Sequence, residues 1–279
     1  MDLDIDHVTV AGRDLDALIE AFTDAGFPAE YGGSHSNGVT HMAVVGFRDG
    51  TYLELVSTID PDAASPWWHD PIHGDGGPCA WAVQVEDIAT ASGTFRERGV
   101  AVDGPHEYER ERPDGTLVEW ELSFLEEGDP GSTLPFLIAD RTPRERRVTP
   151  TGDLATSPIR GVDTVVLAVA DLEAAVDRVR TAFRLDGPER GRLHSLDADV
   201  ASFPGTPVAL AEPRDEGWLA DRLDRFGPRP AAYLLGVEGG IESTLDVEAG
   251  DSIAGRDFGW LSPTAPVGRP YLGVIGADR

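Results

Sequence analysis

What most constrains this chain is a local pattern that returns along it: an alternating strand, a short turn carrying aspartate, and an amphipathic helix ending near glycine. The first copy is Ile5-Asp6-His7-Val8-Thr9-Val10-Ala11, with Asp14-Leu15 opening a helix that ends around Gly26-Phe27. The second runs from Ala80 to Val85, with Asp87-Ile88 opening a helix that closes at Arg98-Gly99-Val100. The third runs from Val162 to Ala168, with Asp171-Leu172 opening a helix to about Phe183-Arg184. Each aspartate stands where its carboxylate can accept from the free N–H groups of a first helical turn. Strand-like runs follow each helix, as in Val39 to Phe47, the Arg48-Asp49-Gly50 turn and Tyr52 to Val56. The second copy continues through Glu119 to Phe124 and Leu134 to Ile138, the third through Arg192 to Phe203 and Val208 to Ala211. A degenerate fourth copy, with a much shorter helical element, is expected from Ala231 to Ile275. The fold class is therefore α+β, built from repeated βαβββ units.

At 279 residues the chain is long enough for two compact bodies, each with its own core. Residues 141–157 hold four arginines, two prolines and no apolar period. This predicts one half over residues 1–142, a linker over 143–157 and a second half over 158–279. The polar stretch 60–77, with Trp67-Trp68-His69 inside it, is the crossover between the first two units.

Fifty acidic residues stand against 23 basic ones, every one of these arginine, for a net charge of −27, yet 41% of residues are hydrophobic. That mixture is globular. Such like charge opposes the compact state in ordinary buffer, whereas molar salt shortens the Debye length to roughly 3 Å. A halophilic protein with an acidic surface is the expectation, an acidic mesophilic one the alternative. Nucleic acid and anionic membrane surfaces are excluded as partners on charge. One cysteine, Cys79, allows no internal disulfide and sits in an apolar run as a packing residue. No run has the apolar length of a membrane span, and Met1-Asp2-Leu3-Asp4 lacks the basic start of a signal peptide. A cytoplasmic protein, monomer or homodimer, is the expectation. Gly74 to Gly77 lacks the lysine of a phosphate loop, and neither a serine elbow nor a metalloprotease helix is present.

Five segments together resemble the glyoxalase-like proteins of the vicinal-oxygen-chelate superfamily. They are Asp6 to Ala11, Gly32-Gly33-Ser34-His35 with Thr40, Asp49 to Leu55, Arg112-Pro113-Asp114-Gly115, and Leu134 to Ile138, covering roughly residues 1–140. Beyond residue 158 the resemblance rests on pattern alone. It implies paired βαβββ units forming bowls, with a divalent metal held by a side chain from the first and last strand of each unit. His7 matches the first-strand ligand and Glu54 the last-strand ligand. An imidazole and a carboxylate suit iron, manganese, zinc, nickel or cobalt and leave positions open for a chelating substrate. In the partner unit the same count reaches Ala80, and Leu134 to Ile138 offers no ligand; in the third unit the counts reach Thr164 and Ala209. Two protein ligands fall short of the usual three. His41, His35 and Asp140 are the candidates for a further donor.

The resemblance thus implies a small oxygen-bearing molecule in the first bowl, with isomerase, lyase or dioxygenase chemistry open. Glu54 or His41 would move a proton, and His35, Arg112 and Trp81 would contact the ligand. The competing expectation is a metal-free module that sequesters an apolar or aromatic ligand between Trp81 and the Trp67-Trp68 crossover. Plainer readings stand beside these. His7 could be a hydrogen-bonded strand residue, Arg112 part of a turn, Trp67 and Trp68 anchors of a loop, and His69 and His73 solvated. Glu54, between Leu53 and Leu55, needs a cation, an arginine such as Arg112 or a raised pKa. The second bowl reads as structural.

Overall fold

The computed structural model describes residues 3–239, 247–261 and 271–276. The first unit comprises β1 (Ile5–Ala11), α1 (Leu15–Asp24), β2 (Glu30–Ser34), β3 (Thr40–Gly46) and β4 (Tyr52–Thr58). A crossover holding the short helix α2 (His69–His73) leads to β5 (Gly77–Gln84), α3 (Ile88–Glu97), β6 (Val102–Glu111), β7 (Leu117–Leu125) and β8 (Phe136–Asp140). The second half repeats the plan with β9 (Ile159–Ala168), α4 (Leu172–Phe183), β10 (Glu189–Leu193), β11 (Ala198–Ser202) and β12 (Val208–Pro213). Its crossover helix α5 (Trp218–Phe226) precedes β13 (Arg229–Val237), β14 (Val247–Ile253), β15 (Arg256–Leu261) and β16 (Leu272–Gly276). Residues 240–246 and 262–270, within the span expected to hold the fourth unit's short helical element, lie outside the described residues.

The strands form two eight-stranded sheets with the same order, β2-β3-β4-β1-β5-β8-β7-β6 and β10-β11-β12-β9-β13-β16-β15-β14. Within each unit the first strand runs parallel to the last, while β1–β5 and β9–β13 join the units antiparallel. All three expected caps form: Asp14, Asp87 and Asp171 accept from the N–H groups of Ala17, Thr90 and Ala174 at 3.1, 3.0 and 2.9 Å. A cap of this kind contributes about 1 kcal/mol.

Two features differ from the sequence reading. Glu189 to Ser202 is a hairpin of two strands, turned at Asp197, whose φ is 47°, where a single run had been expected. Strand β6, the third strand that the βαβββ plan requires of the second unit, was not located, because its sequence VDGPHEYERE has no apolar alternation; as an edge strand, paired only to β7, it tolerates polar residues.

One core joins the halves. Val8, Val10, Leu53 and Leu55 of the first sheet share a cluster with Val165, Leu167, Tyr233 and Leu235 of the second, and Phe95 of α3 meets Phe183 of α4 edge-on at 5.5 Å. The Tyr233 hydroxyl lies 2.8 Å from both the Thr9 and the Ala80 carbonyl oxygens, fixing β13 across β1 and β5. The joining segment 143–157 folds inward: Arg147 is 4% exposed and packs beneath β1 and β8.

Candidate functional site

Strand parity builds the site. Val8 and Val10 enter the shared core, so His7, Thr9 and Ala11 face the opposite side of the sheet. On β4, Leu53 and Leu55 likewise enter the core and Tyr52, Glu54 and Val56 turn away from it. The parallel register sets Thr9 opposite Glu54 and His7 opposite Tyr52. His7, Tyr52 and Glu54 line the charged end of a cavity of about 80 Å³. Since one buried water needs roughly 10–15 Å³, the enclosed part holds several non-hydrogen atoms. Trp67, Tyr108, Trp120, Leu122, Phe124, Phe136 and Ile138 form the remaining walls. A shallower recess shares Trp67, Tyr108 and Phe124 with this cavity and continues outward past His106 and Glu126.

Glu54 is the centre of the polar end. It is 6% exposed, accepts from Thr9 Oγ1 at 3.2 Å, and its second oxygen lies 3.0 Å from His35 Nε2. His7 Nε2 stands 3.7 Å away. Burial alone would raise the Glu54 pKa; the hydrogen bond and charge of His35, the charge of His7 and the bond from Thr9 outweigh it and bring it to about 2. His35 is held in turn by Thr40 Oγ1, 2.8 Å from its Nδ1.

His7 is fixed from behind. Its Nδ1 lies 2.6 Å from Asp6 Oδ1, and its ring stacks on Tyr52 at 4.6 Å and meets the Phe136 ring at 5.3 Å. Asp6 is fully buried, and Arg147 grips it with two bonds of 2.7 and 2.8 Å. Arg147 also holds both oxygens of Asp140 and the Tyr52 hydroxyl, so every one of its donors is used. Burial opposes the Asp6 charge, but Arg147 and His7 hold the carboxyl well below its ordinary value. Asp140 is thereby a partner of Arg147 and not a free donor for a metal.

Of the residues expected at the site, His7, Glu54 and His35 come together and three do not. Trp81 is fully buried in the shared core, its Nε1 donating to the Thr133 carbonyl at 3.3 Å, because Ala80 and Ala82 hold the cavity-facing positions of β5. His41 is displaced by the same parity: Met42 lines the cavity, and the His41 ring lies edge-on to Tyr31 at 6.0 Å. Burial lowers the pKa of His41 on that other face. Arg112 sits past the end of β6 in the expected Arg112–Gly115 turn and donates to the Arg146 carbonyl at 3.0 Å. Trp67 and Trp68 both line the cavity, and Trp68 Nε1 also anchors the crossover on the Pro130 carbonyl at 2.9 Å. His69 and His73 lie on α2, away from the cavity wall, with rings 4.1 Å apart.

Sequence reasoning missed Arg110, Tyr108 and Trp120. The signal was present in β6, where Glu107, Glu109 and Glu111 alternate with His106, Tyr108 and Arg110. That period of two marks one acidic face and one aromatic-basic face.

The superfamily's metal positions are half filled. Ala82 stands opposite Phe136 as Thr9 stands opposite Glu54, so the second unit places Ala80 and Phe136 where the first has His7 and Glu54. Among the described residues no three His, Cys, Asp or Glu side chains form a metal-holding group. Thr9 and His35 already occupy the Glu54 oxygens, and Phe136 packs on His7 where a partner ligand would stand. Among the described residues no complete metal site is formed, although His7, His35 and Glu54 bring two imidazoles and a carboxylate together.

Paired βαβββ sheets with a cavity on one face define a vicinal-oxygen-chelate protein, and comparison with known proteins agrees. Residues 5–183 match the family described as "Glyoxalase-like domain", and the chain belongs to that family. A hypothetical protein from Staphylococcus aureus shares the fold at 12% identity and a TM-score of 0.64, with 98% of this chain and 99% of that one covered. A triple mutant of 4-hydroxymandelate synthase from Streptomyces coelicolor does so at 12% identity and a TM-score of 0.65, covering 99% and 92%. A xylose isomerase-like TIM barrel/4-hydroxyphenylpyruvate dioxygenase fusion protein gives 14% identity and 0.58, covering 100% of this chain and 49% of that one. Likeness at this identity establishes the fold alone. No match was found among curated proteins. Among the described residues no helix is long and apolar enough to cross a membrane.

Proposed function

We propose that the first bowl binds a small oxygen-bearing molecule, hydrogen-bonded at the His7–Glu54–His35 end and enclosed by aromatic walls, without a resident metal. The observation that carries this reading is the cavity itself: a buried carboxylate and two imidazoles at one end, aromatic rings along the rest. A carboxylate held near pH 2 is a weak proton acceptor at neutral pH, where an efficient general base has a pKa close to 7. Glu54 therefore serves as a fixed acceptor for a ligand N–H or hydroxyl, and His7 and His35 orient it. This favours recognition over proton transfer.

Benzamide, a neutral oxygen-bearing probe, tests the reading through the fluorescence of Trp67, Trp68 and Trp120. Binding should be unchanged by a chelator and weakened about tenfold to a hundredfold in Glu54→Ala, the equivalent of about 1.5–3 kcal/mol for a bond to a charged group. Stoichiometric divalent metal in the purified protein, lost in a His7→Ala, Glu54→Ala double variant, would overturn the metal-free reading.

A further inference from the structure

Four arginines are buried among the described residues, and three of them hold two or more partners each, although the Arg222 Nε has none. Arg147 holds Asp6, Asp140 and Tyr52; Arg229 bonds the Phe226 carbonyl and Asp129. Arg222 donates to the carbonyls of Gly76, Pro78 and Pro230 and lies over the Trp218 and Phe226 rings. Arg110 is different. It is 5% exposed and lines the first bowl, yet its guanidinium makes one hydrogen bond, from Nη1 to the Gly32 carbonyl. Among the described residues no carboxylate lies within ion-pair distance of it.

The chain makes room for this group. A Cβ at Gly32 would lie 2.8 Å from Arg110 Nη1 and 2.2 Å from Met42 Sδ, so a side chain there would displace the guanidinium or the methionine. A guanidinium keeps its charge and carries five N–H donors. Buried with one carbonyl partner, it retains a desolvation cost that an anion in the cavity would offset. Burial pulls its pKa down, while Tyr52 and Glu54 pull the other way. Beside it the Tyr108 and Trp120 rings lie nearly parallel, 14° apart at 6.4 Å, with Trp67, Phe124 and Phe136 beyond.

On the reading of this bowl as a binding site, we propose that Arg110 is its anion-binding residue and that the ligand is a small carboxylate with a compact apolar body. The fork of Arg110 would take both carboxylate oxygens, a geometry that a lysine cannot reproduce. The aromatic walls would hold the body.

Benzoate and benzamide share size and shape and differ in charge. Tryptophan fluorescence titrations at one fixed ionic strength should show benzoate binding at least tenfold more tightly than benzamide. That preference should vanish in Arg110→Gln, shrink in Arg110→Lys and persist in Arg112→Gln, whose side chain lies outside the cavity. Thermal melting gives a second readout: benzoate should raise the melting temperature of the native protein and leave that of Arg110→Gln unchanged. Arg110→Gln should also fold as stably as the native chain, because it removes a buried charge that has no carboxylate partner. Equal binding of the two probes, or a preference that survives in Arg110→Gln, would overturn the assignment while leaving the bowl a binding site. Binding of neither probe would overturn both.

Discussion

The two sheets share one strand order and hold opposite contents. The first bowl keeps an open cavity with Glu54, His7, His35 and Arg110 in its wall. The second is filled: Val166, Ala168, Ala209, Leu219, Leu234, Phe258 and Trp260 form one apolar cluster across its face. Registers match residue for residue, since Ala209 stands opposite Val166 as Glu54 stands opposite Thr9, and Thr164 follows Asp163 as His7 follows Asp6. The crossovers complete the contrast. In the second half α5 drops Leu219 into the bowl, whereas in the first half the crossover offers Trp67 and Trp68 as cavity walls. Topology thus supplies a concave sheet, and side chains at a few equivalent positions decide whether it becomes a site or a core.

That contrast can be broken most forcefully at Ala209. Ala209→Glu puts a carboxylate at the Glu54-equivalent position, where Val166 and Leu219 offer neither imidazole nor space. The expected cost is about 4 kcal/mol in denaturant unfolding, the range for an uncompensated buried charge. A change below about 1 kcal/mol would mean that the second bowl has room.

Glu54 itself gives the next effect. Its folded pKa of about 2 lies below the ordinary 4.5, so its stabilising contribution is complete above pH 4.5 and is lost as pH falls through 2. The stability advantage of the native chain over Glu54→Gln should therefore shrink by about 3 kcal/mol between pH 5 and pH 2, at 1.36 kcal/mol per pKa unit. A difference independent of pH would contradict the Glu54–His35–His7 electrostatics.

The smallest difference compares the buried and the partly exposed ion pair behind each first strand. Arg147→Met strands the fully buried Asp6, while Arg256→Met releases Asp163, which is 21% exposed. Losses of about 3 and about 1 kcal/mol are expected, and equal losses would show that the two pairs are equally solvated.

Much of this was legible because it is local. Asp14, Asp87 and Asp171 read as caps from their place before amphipathic helices, and all three cap. His7 and Glu54 were singled out by the resemblance to the glyoxalase-like family, and counting along the repeats found Ala80, Thr164 and Ala209 at the equivalent positions. Two of the three misplacements are parity errors, while Arg112 lies past the end of its strand. Trp81 and His41 each neighbour a cavity residue in sequence, and one step along a strand moves a side chain to the other face. Arg147 and Arg144 looked like linker residues because their partners, Asp6 and Gly50, lie about a hundred residues or more away. Arg110 stayed hidden because an edge strand rich in glutamate has no apolar period to announce it.

The central claim is that one bowl of the pair is a ligand site and the other a core. A crystal structure of the protein soaked with benzamide tests it most directly. The account predicts density in the first bowl, with a polar atom of the probe on Glu54 or His35 and its ring against Trp67, Tyr108 or Trp120. Density within the second bowl, or a first bowl closed by its own side chains, would contradict it.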